Sequence, residues 1–148
     1  LVTKLHEHQL KLVTAESCTA GLLSTYIADL KGSSTVYEGG FITYTNAAKT
    51  KMLGIDGALL YKYGAVSGQV AKAMSYGAIL NSTGNISIAI TGVAGPESIE
   101  NKPVGLIYLA LCYKNEFTLV KNQLHGDPAT IKSEAVTRAV ELVTNSIS

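Results

Sequence analysis

The 148-residue sequence predicts an α/β fold, a mixed sheet covered by helices on both faces. Three observations carry this prediction. Strand-like and helix-like segments roughly alternate along the chain. Ile86–Ile90 and Gly105–Tyr113 are apolar runs with no polar face, as in strands buried on both sides. Glu116–Leu124 follows the second run across a turn at Asn115 and reads as its antiparallel hairpin partner.

The remaining elements follow in order. Leu1–His8 reads as a short helix, Lys11–Ala15 as a strand and Cys18–Leu30 as a helix, with Gly32-Ser33-Ser34 as a break. Val36–Tyr44 is β-branched and aromatic, and Gly39-Gly40 inside it marks a bulge or a close backbone approach. Thr45-Asn46 supplies an N-cap for a helix over Ala47–Leu53, Asp56 caps another to about Tyr63, and Ser67 caps a longer one. The inward set of that longer helix is Val70, Ala71, Met74, Ala78 and Ile79. Asp127 at the N-cap and Pro128 at the first helical position open a last helix to about Val143. Its inward residues are Ile131, Ala135, Val136, Ala139 and Val140. With no internal repeat and no linker, residues 1–148 read as one domain.

Composition narrows the function classes. Hydrophobic residues make up 47% and charged residues 16%, which supports a core and excludes a disordered chain. Net charge is +1 and the basic residues are scattered singly, so there is no footprint for nucleic acid or an acidic membrane. Cys18 and Cys112 are too far apart in sequence for a zinc motif and too few for a disulfide framework, which favours a reducing, cytoplasmic setting. No run reaches the roughly 18 apolar residues of a membrane helix, and the N-terminus has no signal-peptide pattern. Asn81-Ser82-Thr83 and Asn85-Ile86-Ser87 match the glycosylation pattern but read as chance. The first residue is Leu1, as expected for a trimmed chain or a piece of a longer one.

Chemistry concentrates in Thr14-Ala15-Glu16-Ser17-Cys18-Thr19-Ala20-Gly21, where a strand gives way to a helix. Free backbone N–H groups at such a turn favour negative charge, so the place suits a nucleophile whose reaction creates an oxyanion. The competing reading is that Ser17 or Thr19 merely caps the helix. Two further strand ends are expected at the same edge, Thr43–Lys49 and Thr91-Gly92-Val93-Ala94-Gly95-Pro96, and open α/β sheets bind ligands there. His6, His8 and His125 form no set with a serine and an aspartate. A serine without histidine can lose its proton to a neutral lysine, or to a tyrosine acidified by a nearby ammonium. Tyr44 and Lys49 lie close enough in the chain to converge on it; read separately, each is an ordinary strand aromatic or surface lysine.

Six ordered blocks carry a resemblance: Glu16–Gly21, Gly32-Ser33-Ser34, Gly40–Lys49, Gly64-Ala65-Val66-Ser67, Thr91–Pro96 and Lys102-Pro103-Val104-Gly105. From about Leu5 to the last helix the chain resembles the CinA C-terminal domain family, the nicotinamide mononucleotide deamidases. The resemblance implies a three-layer α/β/α fold with a mixed, mostly parallel sheet. It implies hydrolysis of the nucleotide's carboxamide to nicotinic acid mononucleotide and ammonia, in bacterial pyridine nucleotide recycling. It assigns Ser17 as nucleophile with Tyr44 and Lys49 as catalytic partners. In the expected mechanism Lys49 stays charged and acidifies Tyr44, or shares a proton with it, and Tyr44 takes the proton of Ser17. Substrate-binding positions are Cys18, Thr19, Ala20 and Gly21 in the first loop and Thr91, Gly92, Ala94 and Gly95 in the second. No metal and no organic cofactor is implied; the partner is a small nucleotide, and a homo-oligomer is expected.

Four positions depart from the family pattern. Ala20 replaces the first of two glycines, a change that fits a negative φ. Gly39 stands where an arginine is frequent. Glu97-Ser98-Ile99-Glu100-Asn101 is a shorter, acidic replacement for a stretch with a Gly-Gly pair. Pro128 replaces an arginine suited to a phosphate monoester, which leaves Lys132 as the nearest cation, while Asp127 would repel a phosphate. Three other readings stay open: an amidohydrolase with a different substrate, a non-catalytic nucleotide-binding or competence-associated module, and a ligand-binding domain in which Ser17 is only a cap.

Overall fold

The computed structural model describes residues 1–148. In chain order the elements are α1 (Val2–Glu7), β1 (Leu12–Glu16), α2 (Leu22–Ala28), a single 3-10 turn (Ser33–Thr35), β2 (Tyr37–Ile42), α3 (Asn46–Leu53), α4 (Gly57–Tyr63), α5 (Gly68–Leu80), β3 (Ile86–Gly92), β4 (Leu106–Tyr113), β5 (Glu116–Gln123) and α6 (Pro128–Ser146). The strands form one sheet in the order β2-β1-β3-β4-β5. β1 runs parallel to both of its neighbours, and β3, β4 and β5 alternate in direction. The sheet is mixed as expected, with antiparallel pairing reaching one strand further than the hairpin. The chain leaves β3 and returns as β4 without a crossover helix, and such a return is antiparallel.

Side chains alternate across the central strands and sort the core into two layers. Leu12, Ile86, Ile88, Ile90, Ile107, Leu109 and Leu111 meet α1, α2 and α6 through Leu5, Leu23, Ile27, Ile131, Ala135 and Ala139. Val13, Ala15 and Ala89 meet α3, α4 and α5 through Leu53, Leu60, Val70, Met74 and Ala78. Residues on that second sheet face are small, so α5 lies close to the strands, and Ser87 Oγ donates to the Ser75 carbonyl at 2.7 Å. No helix is long and apolar enough to cross a membrane.

Polar side chains start four helices as the sequence predicts. Thr45, Asp56, Ser67 and Asp127 accept from the N–H groups of Ala48, Ala58, Val70 and Thr130. The bulge is also where it was expected: Leu12 pairs with Tyr37 but Val13 pairs with Gly39, so β2 carries one extra residue. Gly40 marks a close approach, because a Cβ there would lie 2.4 Å from Thr14 Oγ1.

Two expectations fail for physical reasons. The helix expected from Cys18 begins only at Leu22, because Ala20 (φ 47°) and Gly21 (φ 101°) are left-handed and cannot extend a right-handed helix. Ala20 therefore does not have the negative φ its methyl would prefer. The last helix runs three residues past Val143, since neither glycine nor proline stops it there.

Candidate active site

The site begins with parallel strand ends. Glu16, the last residue of β1, pairs with Ile42 of β2 and Ile90 of β3, so three chain segments leave the sheet side by side. Ser17 N–H donates to the Ile90 carbonyl at 3.0 Å, and Thr43 N–H donates to the Glu16 carbonyl at 2.8 Å. These bonds hold the serine between the other two strand ends.

Glu16 builds the turn that follows, a function the sequence reading missed. Its carboxylate is fully buried and accepts from Thr19 Oγ1 (2.6 Å), Leu23 N (2.9 Å), Ser24 N (3.0 Å) and Ser24 Oγ (2.6 Å). It caps α2 from the strand before it, where a carboxylate is favoured by the positive end of the helix dipole. A carboxylate followed three and eight residues later by hydroxyls is the signal that could have found it. The helix has no cap from Ser17 or Thr19, and its N-cap position is Gly21. The reading of Ser17 as a cap is thereby corrected: its hydroxyl is turned to a different partner.

That partner is Lys49. Thr45 starts α3, and one turn later Lys49 is buried, with 1% of its surface exposed. Its Nζ lies 3.0 Å from Ser17 Oγ, 2.8 Å from the Thr43 carbonyl oxygen and 3.4 Å from that of Tyr44. Burial holds the amine below its ordinary value of 10.5, against the opposing pull of Cys18 and Glu100. Cys18 differs from its neighbour: burial pushes its thiol up to about 11 against the opposing pull of Lys132 and Lys49, and no side chain is hydrogen-bonded to it. Of the two adjacent residues, only the serine is hydrogen-bonded to the Lys49 amine.

Tyr44 does not complete the expected three-way contact. Its phenol makes no hydrogen bond, its side chain is 69% exposed, and only its backbone carbonyl meets Lys49. A carbonyl-bound turn fixes the backbone here and leaves the ring outside. Two of the three groups expected to converge do so.

Ser17, Cys18, Tyr44, Gly92, Ala94, Gly95, Ile99 and Lys132 line a cavity of about 130 Å³. Thr19, Ala20 and Gly21 line an open groove next to it, together with Ile42 and Lys132. Lys132, in the second turn of α6, borders both hollows. Thr91 lies outside both; its hydroxyl donates to the Ala65 carbonyl at 2.8 Å and ties the second loop to the entry of α5. Gly92 has no room for a side chain, since a Cβ would lie 2.5 Å from the Leu106 carbonyl oxygen. The N–H groups of Thr19, Ala94 and Gly95 donate to no backbone carbonyl, while that of Cys18 lies against its own thiol.

The loop after Pro96 is pinned rather than loose. Glu100 accepts from Ala65 N (2.8 Å) and Val66 N (3.1 Å) and pairs with Lys102 at 3.1 Å. Burial alone would raise its carboxyl, but those two N–H groups and the lysine hold it below the usual carboxylate range. Lys102 Nζ also donates to the Tyr63 and Val66 carbonyls. Chemically, the arrangement offers a serine hydroxyl, an amine of lowered basicity in contact with it, and unpaired N–H donors on either side.

Known proteins share the architecture and the sequence. A CinA-like protein of Colwellia psychrerythraea is 47% identical over 111 residues, covering 74% of this chain and 26% of that protein. One from Acidobacterium capsulatum is 41% identical over 133 residues, covering 89% and 32%. The chain thus spans about a third or less of the length of these curated relatives. The crystal structure of a competence-damaged protein (CinA) superfamily protein from Escherichia coli superposes with a TM-score of 0.94 at 36% identity, covering 96% of this chain and 83% of that one. That of a competence/damage inducible protein from Agrobacterium tumefaciens gives 0.93 at 37% identity, covering 97% and 89%. The family model for the CinA C-terminal domain matches residues 1–147, and the chain belongs to that family.

Proposed function

We propose that this chain hydrolyses the carboxamide of nicotinamide mononucleotide, giving nicotinic acid mononucleotide and ammonia, with Ser17 as nucleophile. The observation that carries the proposal is the 3.0 Å contact between Ser17 Oγ and the buried amine of Lys49. In its neutral form that amine keeps two N–H bonds, to the Thr43 and Tyr44 carbonyls, and its lone pair receives the serine proton. Ser17 Oγ then bonds to the amide carbon. Free N–H groups of the two loops, those of Thr19, Ala94 and Gly95, stabilise the oxyanion. The Lys49 ammonium returns its proton to the leaving nitrogen, ammonia departs, and an ester to Ser17 remains. Water, deprotonated by the same amine, attacks the ester carbon, and the Lys49 ammonium returns the proton to Ser17 Oγ as nicotinic acid mononucleotide leaves. The proton passes directly between Ser17 and Lys49, without the phenol of Tyr44.

The phosphate of the nucleotide is assigned to Lys132, which borders both hollows and takes part in no ion pair. The homo-oligomer implied by the family resemblance belongs to the same proposal. A different, smaller amide is the second reading, and the modest cavity beside Ser17 favours it.

Ammonia release measured with nicotinamide mononucleotide, nicotinamide and NAD separates these readings. The mononucleotide is expected to be the best substrate, and Ser17→Ala is expected to lower kcat at least about a thousandfold while the fold melts normally. Near-wild-type turnover by Ser17→Ala would dismiss the assignment. Turnover of nicotinamide alone would replace the substrate.

A further inference from the structure

We infer that the β5 edge of the sheet is the contact surface between two copies of this chain, which pair their β5 strands antiparallel about a two-fold axis at Leu119. The inference gives a surface to the homo-oligomer proposed above, and it holds whether or not the chain is a deamidase. β5 is an outer strand of the sheet, eight residues long, and its ladder with β4 runs from Glu116 to Gln123 without a bulge. Leu124 N–H donates to the Gly105 carbonyl at 2.8 Å, at the next step of that ladder. Even-numbered residues therefore direct their backbone groups at β4, while Phe117, Leu119 and Lys121 direct theirs at the open edge. A bare edge of this kind is a template for another strand. The opposite edge is defended: β2 carries the bulge, Gly39, Gly40 and the exposed charge of Glu38. β5 has no glycine, no proline and no bulge, and Lys121 is the one charge among its outward residues.

Side chains of the same row lie on the α5 face. The Phe117 and Tyr76 ring centroids are 6.2 Å apart, and Lys72 Nζ sits 5.1 Å from the centroid of Phe117. Gly68 leaves room for Leu119, since a Cβ there would lie 2.6 Å from the leucine Cδ2. Phe117 and Leu119 still keep 38% and 43% of their surface exposed, so α5 fixes them and leaves their outer sides bare. Symmetry and charge make a second copy the occupant. A two-fold axis perpendicular to the sheet keeps each side chain on its own face, so odd-numbered residues pair with odd-numbered ones. With Leu119 opposite its own copy, Phe117 stands opposite Lys121, the kind of cation–ring contact that Lys72 makes within the chain. The two Lys121 ammoniums then lie about 13 Å apart along the strands. A slip one way would bring them to about 7 Å, and a slip the other way would set Lys121 against Asn115, in the turn before β5.

Light scattering on the peak from a size-exclusion column, over a wide range of concentration, tests this. The wild type is expected at twice the chain mass. Leu119→Lys puts like charges on the axis, and Leu119→Pro removes an outward N–H without touching the β4 ladder. Each is expected to raise the dimer dissociation constant at least about tenfold while melting as a folded protein, and Leu119→Lys carries the test alone if the proline variant does not melt cooperatively. Tyr61→Lys, at an exposed apolar position on α4, is expected to keep the dimer mass. Paired residues of this kind have Cα atoms about 5.5 Å apart, within disulfide range. Leu119→Cys is therefore expected to link to its own copy under oxidised glutathione, with no such link in the wild type. A monomeric wild type, or a Leu119→Cys chain that forms no link, would overturn the inference. A wild-type dimer that survives both Leu119→Lys and Leu119→Pro would also overturn it, and would keep the homo-oligomer with its interface elsewhere.

Discussion

A lysine amine buried beside a serine hydroxyl is unfavourable for the charged form, and that cost is what makes it useful. Lys49 loses its proton more readily in the folded chain than in the unfolded one, because burial penalises the ammonium. A base must be neutral to act, so kcat/KM is expected to rise with pH through a midpoint below 10.5, the ordinary lysine value. Stability follows with the same sign. Between the folded midpoint and 10.5 the unfolded chain binds more protons, so stability rises with pH across that window. Lys49→Met is expected to abolish both slopes, read by a pH–rate profile and by denaturation at a series of pH values. A flat profile with full activity would mean that another group takes the proton. Ser17 and Lys49 were legible in the sequence because strand ends and a family pattern mark them. The loose placement of the Tyr44 phenol was not, since a side chain's direction at a strand end depends on neighbours from other segments.

The β1–α2 turn shows how a single element is built around Ser17. Glu16 gathers four donors from Thr19, Leu23 and Ser24, and Ala20 and Gly21 adopt left-handed backbone so that the turn fits beneath them. An alanine at φ 47° is strained, while a glycine is not. Ala20→Gly is therefore expected to raise stability by about 1 kcal/mol despite its more flexible unfolded chain, measured by chemical denaturation. A loss of stability would show that the methyl makes a contact worth more than the strain. Helix starts were readable at Thr45, Asp56, Ser67 and Asp127 because each cap acts within its own segment. The start of α2 was misread because its cap, Glu16, lies six residues before the helix, on the preceding strand.

At the scale of the molecule, the sheet separates two cores, and Lys49 reaches Ser17 from α3, a helix that packs on the second one. Ser17 is set by the sheet, and Lys49 rides on α3, which is fixed by packing on α5. Gly77 of α5 is the point of closest approach: a Cβ there would lie 2.4 Å from the Leu53 carbonyl oxygen of α3. Glycine to alanine inside a helix normally stabilises by roughly 0.5–1 kcal/mol. Here Gly77→Ala is expected to destabilise by about 1–3 kcal/mol and to lower kcat, because α3 must move and takes Lys49 with it. Thermal melts and turnover of the same variant check both parts. The layered fold was legible from alternation and from the apolar strands. The antiparallel β3–β4 pairing was not, because a long connection without a helix shows its direction only once it is packed.

Trapping the covalent state tests the account most directly. A single-turnover reaction with nicotinamide mononucleotide, quenched in acid and mapped by mass spectrometry, is predicted to place the acyl group on the peptide that carries Ser17, with no such adduct in Ser17→Ala. Turnover with an adduct on Cys18, or continued ammonia release by Ser17→Ala with no adduct at all, would contradict it.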